Sequence, residues 1–301
     1  MSWAYAFLRG MMRVAALPPL GVMRALGGGL GGLAHALDRR HRAIVRANLT
    51  ESFPEKSAEW INGVARDCYA HLGKVAMELP RLSTLPKSEI LARTRVMQPE
   101  RLERLRRLHG RGQGLFILTG HIGNWEWLNI SLSWLVGLSC VVARPIDWEP
   151  ADRLVNGWRS RPGTEVVPKA ASARRVLYYL RKGRMIGILL DQNVDWYDGE
   201  WVEFFGRPAC TNKGLALLAM RTKAPVIPAW VWRGDDGWFE LHLGEDLPLI
   251  NTGDKTQDLW ENTQAYTKAL EDVIRAKPAQ WFWLHQRWKT KPYHAWPRER
   301  A

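Results

Sequence analysis

The order of apolar and polar stretches predicts an α/β protein. Short apolar runs with glycine or proline at their borders have the length of buried strands. They lie at residues 114–119, 138–143, 184–190 and 226–232. Segments with helical spacing of apolar positions alternate with these runs. These segments lie at residues 125–136, 151–160, 171–182 and 212–222. Alternation of this kind is typical of a central, mostly parallel sheet flanked by helices.

Further segments extend this pattern. Residues 234–237 read Gly-Asp-Asp-Gly and predict a turn, so residues 226–232 and 238–243 are expected to pair as an antiparallel hairpin. Two long helices and one short helix are also predicted, with Pro80 and Pro86 closing the first of them. These helices are expected at residues 56–82, 99–109 and 255–276.

The N-terminal region is apolar but interrupted. Residues 14–37 contain Pro18, Pro19 and Arg24, whereas a bilayer-spanning helix needs about 20 predominantly apolar residues. We therefore expect helices that lie in the membrane interface or form a helical hairpin, with the basic cluster at residues 38–42 against anionic headgroups. The glycines at residues 27–32 match GxGxxG, but no strand precedes them, so they predict close helix packing.

Charge and composition narrow the class of partner. The 301 residues include 43 Lys+Arg and 30 Asp+Glu, a net charge of +13, which favours phospholipid headgroups, phosphorylated substrates or acidic carrier proteins. The 17 tryptophans suit either a membrane interface or the core. No motif for reading nucleic acid is present, so we expect no nucleic-acid partner. The three cysteines are widely spaced and predict neither disulfides nor a metal site.

One strand end carries candidate chemistry. His121 follows the run at residues 114–119, and Glu126 lies five residues further on. Catalytic groups collect at the carboxyl ends of strands in open α/β sheets, where a histidine steadied by a carboxylate can take a proton from an attacking hydroxyl. The alternative is a hydrogen-bonded pair that only holds the loop. Sequence signatures of serine hydrolases, zincins, P-loop nucleotidases and zinc ribbons are absent.

Neighbouring strand ends carry further polar residues. Arg144 follows residues 139–143, and Asp191 follows residues 184–190, so both are expected at the same sheet edge as His121. Arg144, Arg159 and Arg161 are candidates for binding anionic oxygens, because a guanidinium binds phosphate in a bidentate manner. The alternative for each arginine is a structural ion pair.

The residues His121-Ile122-Gly123-Asn124-Trp125-Glu126 resemble the HxxxxD/E motif of glycerolipid-type acyltransferases. The HxxNWE form is similar to the late acyltransferases of lipid A biosynthesis. Further blocks resemble that family in the same order, at residues 143–145, 159–163, 190–193, 202–209 and 283–289. The chain departs from the family at Asn193, where a second acid is frequent, although Asp195 and Asp198 lie close by.

This resemblance implies a glycerolipid-acyltransferase-like fold, with residues 1–50 as a membrane-associated helical segment and residues 51–301 as one acyltransferase domain. It implies transfer of a fatty acyl chain from acyl carrier protein to a hydroxyl of a Kdo-bearing lipid A precursor. The reaction is expected at the cytoplasmic face of a bacterial inner membrane, with neither metal nor cofactor.

The roles implied for single residues follow the same motif blocks. His121 is expected to be the general base, and Glu126 its orienter. The candidate substrate-binding residues are Asn124, Arg144, Arg159, Arg161 and Asp191. The acceptor is left open among the lipid A precursor, a lysophospholipid, a mannosylated phosphoinositide and an amino-acid-linked lipid. The remaining, less favoured alternative is a non-catalytic basic protein that binds membranes or nucleic acid.

Overall fold

The computed structural model describes residues 3–169 and 172–292. Within these ranges, five helices precede the central sheet region. They are α1 (Trp3–Ala15), α2 (Leu20–Leu37), α3 (Arg39–Ser52), α4 (Ala58–Thr84) and α5 (Lys87–Ala92). Six more helices follow: α6 (Pro99–Gly110), α7 (Trp125–Val136), α8 (Glu149–Arg159), α9 (Ser172–Arg181), α10 (Gly214–Thr222) and α11 (Lys255–Ala276).

Seven strands form the central sheet, in the order β1-β9-β8-β2-β5-β3-β4. They are β1 (Thr94–Val96), β2 (Leu115–Thr119), β3 (Ser139–Ala143), β4 (Glu165–Pro168), β5 (Met185–Leu189), β8 (Val226–Arg233) and β9 (Phe239–Leu243). Every neighbouring pair is parallel except β8 and β9. The structure thus confirms the mostly parallel sheet and the antiparallel hairpin.

The position of β2 in the centre of the sheet explains why residues 114–119 are almost entirely apolar. All five of its residues are buried, because helices cover both faces of the sheet. Leu115 and Ile117 pack with Trp127 of α7, whereas Phe116 and Leu118 belong to the core on the opposite face with α10 and α11. Alternate side chains of a strand point to opposite faces, so one run serves both cores.

Five short elements were not predicted from the sequence. They are α5, the edge strands β1 and β4, and a separate antiparallel pair formed by β6 (Gly199–Phe204) and β7 (Arg207–Asn212). The two edge strands have only 3 and 4 residues, too few for a visible alternation of apolar positions.

Two predicted helix boundaries need comment. The helix expected at residues 56–82 is α4, which ends before Pro86 as predicted but continues through Pro80 to Thr84, so Pro80 does not close it. Glu78 and Leu82, on either side of this proline, are fully buried, so tertiary contacts hold the turn despite the missing N–H group. The predicted helix at residues 171–182 is described as α9 from Ser172, and residue 171 lies outside the described residues.

The N-terminal glycines bring two helices together. A Cβ atom on Gly27 would lie 2.5 Å from the Gly73 carbonyl oxygen of α4, and one on Gly31 would lie 2.1 Å from the Tyr69 carbonyl oxygen. Helix α2 therefore packs backbone to backbone on α4, as the small-residue spacing predicted. Among the described helices, none combines the length and the apolar character needed to cross a membrane.

Large apolar side chains remain exposed along the other side of α1 and α2. We call these residues the N-terminal apolar stripe: Trp3, Phe7, Met11, Val14, Leu17, Val22, Leu26, Leu30, Leu33 and Leu37. Isolated exposed apolar residues are normal on protein surfaces, but rows of this length along two successive helices are typical of a surface that contacts a partner or a membrane.

The close contact between α2 and α4 yields a stability prediction. Gly31→Ala should lower the free energy of unfolding by about 1–3 kcal/mol, because the new methyl group would overlap the Tyr69 carbonyl. The matched control is Gly29→Ala in the same helix, where a Cβ meets nothing within 4 Å. That change should be neutral or should stabilise by about 0.5–1 kcal/mol. Urea unfolding measures both, and equal effects of the two changes would contradict the packing.

Candidate active site

The register of two neighbouring strands places a carboxylate beside His121. Strand β2 pairs with β5 so that Thr119 lies opposite Leu189. Two residues beyond each partner are His121 and Asp191, and their side chains meet, with 3.0 Å between His121 Nδ1 and Asp191 Oδ1. The His121 backbone N–H also donates to Asp191 Oδ2, at 2.7 Å.

Asp191 is a buried charge with a full set of partners. Its exposed fraction is 1 %, and the indole N–H of Trp281 donates to its Oδ2 at 2.8 Å. Burial alone would raise the pKa of Asp191, but the charge and hydrogen bond of His121 outweigh this and hold its pKa well below the usual range. Asp191 is therefore ionised and accepts the Nδ1–H of His121.

This pairing sets the state of His121. Burial acts to lower the pKa of His121, but the charge of Asp191 and its hydrogen bond raise it above the ordinary value of 6.5, with a smaller contribution from Glu126. Since Nδ1 donates to Asp191, neutral His121 carries its lone pair on Nε2. Within the described residues Nε2 has no hydrogen-bond partner, and the ring is 18 % exposed. The imidazole can therefore accept a proton from a bound molecule.

Glu126 does not make the contact that the sequence predicted. Its carboxylate pairs with Arg159, whose Nε lies 3.1 Å and 3.0 Å from the two oxygens and whose Nη2 also donates to Oε1. Glu126 lies in the first turn of α7, facing the end of α8, whereas the parallel register brings Asp191 to the ring of His121. The carboxylate that hydrogen-bonds His121 is Asp191, and Glu126 holds Arg159.

A cavity of about 580 Å³ opens at this sheet edge. His121, Glu126, Arg159, Arg144 and Asn193 are among its lining residues. The ring of Trp125, also in the wall, meets the His121 ring edge-on at 4.9 Å between centroids. The cavity thus presents one histidine together with positive groups and an aromatic wall.

A narrow apolar pocket of about 50 Å³ adjoins the cavity between α7 and the sheet. The two spaces share Trp125, Asn129, Val141 and Leu189 as lining residues. Further in, the pocket is bounded by Leu128, Leu132, Met185 and Gly187. Its walls suit a hydrocarbon group better than a polar one.

The predicted substrate-binding residues separate into two groups. Arg159 and Arg144 line the cavity, and Arg144 is 79 % exposed with a weak contact to Asp147 at 3.4 Å. Asp191 lies behind His121. Arg161 lies elsewhere, since its guanidinium donates to the Leu82 and Leu85 carbonyls at 2.6 Å each. Those orphan carbonyls at the end of α4 need donors, which gives Arg161 a structural role.

Asn124 is also structural in its contacts. It is fully buried, its Oδ1 accepts the backbone N–H of Trp127 at 2.9 Å, and its Nδ2 donates to Glu78 at 2.8 Å. A side-chain oxygen at this position caps the first turn of a helix. Asn124 therefore fixes the start of α7, and through it the position of Glu126.

A buried polar cluster lies beneath the loop that follows β2. Glu78 is fully buried between Arg24 and Arg233, with Arg24 Nε 2.6 Å from Oε1 and Arg233 Nε 2.9 Å from the same atom. Burial opposes the charged form, but the two arginines outweigh it and lower the pKa of Glu78. This carboxylate thereby joins α2, α4, β8 and the Asn124 cap.

His71 completes the support of the loop. Burial, reinforced by the nearby Arg233 charge, lowers the pKa of His71 to about 3, so its ring is neutral. Arg233 donates to Nδ1 at 2.8 Å, which leaves the Nε2–H to donate to the Gly123 carbonyl at 3.1 Å. Gly123 has φ +54, and a Cβ there would lie 1.7 Å from the Val231 carbonyl oxygen. Only glycine fits this position in the loop.

The histidine–aspartate pair and a third residue, His285, also have the spacing of metal ligands. Donor atoms of His121, Asp191 and His285 all lie within 4.8 Å of one another. The Asp191 oxygens already accept three hydrogen bonds, from the His121 backbone and ring and from Trp281. These hydrogen bonds engage both oxygens, so the cluster fits a histidine–carboxylate pair better than a metal site. That no metal takes part stays a prediction.

Sequence reasoning missed Glu78, His71, Trp281 and His285. Burial lowers the pKa of His285 to about 4, and its ring meets that of His121 at 4.9 Å between centroids. Trp281 and His285 lie in or beside the last of the resembling blocks, which was the available signal. Glu78 and His71 lie on α4 with ordinary helical spacing, and nothing in the sequence distinguished them from surface residues.

Comparison with known proteins gives a consistent result. A family model described as bacterial lipid A biosynthesis acyltransferase matches residues 1–290. The lipid A biosynthesis lauroyltransferase of Escherichia coli K12 is 26% identical over 287 residues, which cover 94% of this chain and 90% of the relative. The palmitoleoyltransferase of the same strain is 23% identical over 298 residues, which cover 96% and 92%.

A relative with another name is similar at the same level. A phosphatidylinositol mannoside acyltransferase of Mycobacterium tuberculosis (strain CDC 1551 / Oshkosh) is 27% identical over 294 residues. That alignment covers 95% of this chain and 88% of the relative. All three relatives are named for the transfer of acyl groups.

The histidine–aspartate pair yields a titration prediction. Asp191→Asn should lower the pKa of His121, because the change removes the negative charge and the acceptor that stabilise the imidazolium. Glu126→Gln should lower the pKa of His121 less, since the Glu126 charge is the smaller contribution. NMR titration of the ring protons measures both, with the His121 signal assigned by its loss in His121→Ala. A larger shift in Glu126→Gln would make Glu126 the main partner.

Proposed function

The chain belongs to the bacterial lipid A biosynthesis acyltransferase family and is an O-acyltransferase, and on this basis we propose that it transfers a fatty acyl chain from acyl carrier protein to a Kdo-bearing lipid A precursor. The acyl group is bound to the carrier as a thioester, and the reaction transfers it to a hydroxyl of the acceptor, where it forms an ester. The observation that carries the proposal is His121 in the cavity wall, with Nδ1 held by Asp191 and Nε2 unpaired within the described residues.

In the proposed reaction His121 is the general base. Its Nε2 takes the proton of the acceptor hydroxyl while that oxygen attacks the thioester carbonyl carbon. The tetrahedral intermediate then collapses, the carbon–sulfur bond breaks, and the proton on His121 passes to the leaving thiolate. Asp191 stabilises the transient imidazolium, as the carboxylate of a catalytic triad does, but no side chain of the protein becomes acylated.

Two arginines supply positive charge to the cavity. Glu126 holds Arg159 in the wall near His121, where the guanidinium can bind an anionic oxygen of the substrate. Arg144, at an exposed position in the same wall, is suited to a phosphate of the acceptor or of the carrier's prosthetic group. Because Glu126 neutralises the charge of Arg159 and fixes the orientation of its guanidinium, we expect Arg159 to act by donating hydrogen bonds in a set direction rather than as an isolated charge.

The adjoining apolar pocket is proposed to receive only a short part of the acyl chain, because its volume of about 50 Å³ admits no more than a few carbon atoms. It opens from the cavity beside Trp125 and extends between α7 and the sheet. Gly187 contributes to its width, because a Cβ atom there would lie 3.2 Å from Val141 Cγ1. A chain bound in this pocket would place its thioester carbonyl in the larger cavity that His121 lines.

The N-terminal apolar stripe supports a position at the membrane. We infer that α1 and α2 lie in the interface with this stripe toward the acyl chains, while α2 packs on α4 through its glycines. The net charge of +13 would favour an anionic surface. The proposed location is the cytoplasmic face of a bacterial inner membrane, where both the carrier and the lipid acceptor are available.

A second acceptor class has a specific observation in its favour. The mycobacterial relative named for phosphatidylinositol mannoside is as similar to this chain as the two lipid A relatives. The proposed chemistry is the same, since a mannose hydroxyl would replace the hydroxyl of the lipid A precursor. Acceptor selectivity would then depend on groups around the cavity mouth such as Arg144.

Loss of the base tests the mechanism. His121→Ala should reduce acyl transfer by about 10²- to 10⁴-fold, the usual contribution of a general base. Vesicle binding should be unchanged, and the variant should still fold, although its thermal stability should fall because Asp191 loses one of its buried partners. In the wild-type protein kcat/KM should rise with pH on a limb whose midpoint lies above 6.5, because the base acts in its neutral form and its pKa is raised. Full activity of His121→Ala would remove His121 from the reaction.

Acceptor profiling tests the proposed substrate. The purified protein is incubated with acyl carrier protein thioesters of several chain lengths and with a Kdo-lipid IVA-type acceptor, a mannosylated phosphoinositide or a lysophospholipid. Mass spectrometry should detect one added acyl group on the Kdo-lipid acceptor, and none with His121→Ala. Product on the mannosylated lipid alone would establish the second candidate, and product on neither would contradict both.

A further inference from the structure

Helix α9 has an exposed face that carries positive charge and no acidic residue. Arg174, Arg175 and Arg181 of the helix and Lys182 just after it are all exposed, and we call these four residues the α9 basic face. Arg174 and Arg175 lie seven residues before Arg181 and Lys182, so about 10 Å along the helix axis separates the first pair from the second. Val176 and Leu180 are buried against the sheet, which leaves the charges directed outward.

These cations have no acidic partners of their own. In the described ranges 3–169 and 172–292, none of the four forms an ion pair. Glu165, on the neighbouring strand β4, pairs with Arg184 at 3.9 Å. A cluster of like charges without counter-charges is electrostatically unfavourable in the free protein and favours association with an anion.

The other arginine-rich helix is different. On α6, Arg101 pairs with Glu245 at 3.0 Å, Arg104 with Asp246, and Arg106 with Glu103 at 2.6 Å. Most of its charge is therefore neutralised within the protein. Helix α6 also leads into the amino end of β2, which is the sheet edge opposite His121. The α9 basic face is thus distinguished by its lack of partners and by its position.

The α9 basic face begins at the rim of the active-site cavity. Lys169, Ser172 and Val176 line the cavity together with His121. Ser172 is the first residue of α9, and Val176 is one turn further along. A molecule bound on the outer face of α9 would therefore have the cavity mouth beside it, and an extended arm could pass the rim toward His121.

The chemistry of this face favours an acidic protein over a lipid surface. A helix that binds in a membrane interface presents an apolar face to the lipid, whereas the apolar side of α9 is buried. The largest exposed apolar group on the helix is Tyr178, at 56 % exposed. The surface suited to lipid is the N-terminal apolar stripe. A rigid row of cations beside a cavity fits an acidic partner that brings its substrate on an arm.

We propose that the α9 basic face is the docking surface for the acidic acyl carrier protein that delivers the thioester. This inference rests on the proposed function, because it assigns a place to the donor of that reaction. Arg174 and Arg175 are the central residues, since they lie in the first turn, next to the cavity rim. The face acts on recognition of the carrier and takes no part in the transfer step.

The test compares two charge reversals of equal size. Arg174→Glu with Arg175→Glu should lower kcat/KM for the carrier-bound donor at least about tenfold, with kcat nearly unchanged, because steering charges act on association. The variant should also flatten the dependence of kcat/KM on salt. With acyl-pantetheine as the donor, kcat/KM should equal that of the wild-type protein. The control is Arg107→Glu with Arg111→Glu, two exposed arginines at the other sheet edge, and should leave both donors unaffected.

Each contrary outcome has a defined meaning. Normal kcat/KM for the carrier in the α9 variant, or an equal loss in the control, overturns the proposal. An equal loss with acyl-pantetheine would mean damage to the active site and also overturns it. Loss of binding to vesicles containing phosphatidylglycerol, with unchanged carrier binding, would make α9 a lipid surface.

A direct binding measurement separates the inference from the proposed function. Fluorescence anisotropy of labelled acyl carrier protein with the wild-type protein and both variants requires no turnover. Absent transfer from any donor together with α9-dependent carrier binding would reject the proposed reaction and retain the docking surface. Transfer by the wild-type protein together with equal carrier binding by all three proteins would retain the proposed reaction and reject the docking surface.

Discussion

The parallel register of β2 and β5 is the constraint on which the candidate active site depends. It sets Thr119 opposite Leu189, so the residues that follow the two strands, His121 and Asp191, meet at the sheet edge. Burying a carboxylate costs several kcal/mol unless it is paired and hydrogen-bonded. Asp191 meets this condition through His121 and Trp281, and the closing segment of the chain is thereby tied to the centre of the sheet.

A second buried carboxylate performs a similar task one layer further in. Glu78 joins the N-terminal helix α2, through Arg24, to the Asn124 cap of α7. The loop between His121 and α7 is thus held by His71, Glu78 and the close approach of Gly123 to β8. The helices proposed to contact the membrane and the loop that carries the proposed base are consequently parts of one polar network.

The distribution of arginines shows how charge is divided between structure and recognition. Arg161 caps a helix, Arg24 and Arg233 neutralise Glu78, and Arg159 is held by Glu126. These guanidiniums are bound to groups of the protein itself. The exposed cations of α9 and Arg144 have weak partners or none among the described residues, so they are available to anions outside the protein.

Local periodicity and a short motif were enough to predict the α/β class, most strands and helices, and His121 at a strand end. They could not predict β1 and β4, which are too short to have a period, or the continuation of α4 through Pro80. They also paired His121 with Glu126, five residues away. In the folded protein Asp191, 70 residues further along the chain, makes that contact. Strand order and register bring such distant strand ends together, and neither is encoded in the spacing of residues along one segment.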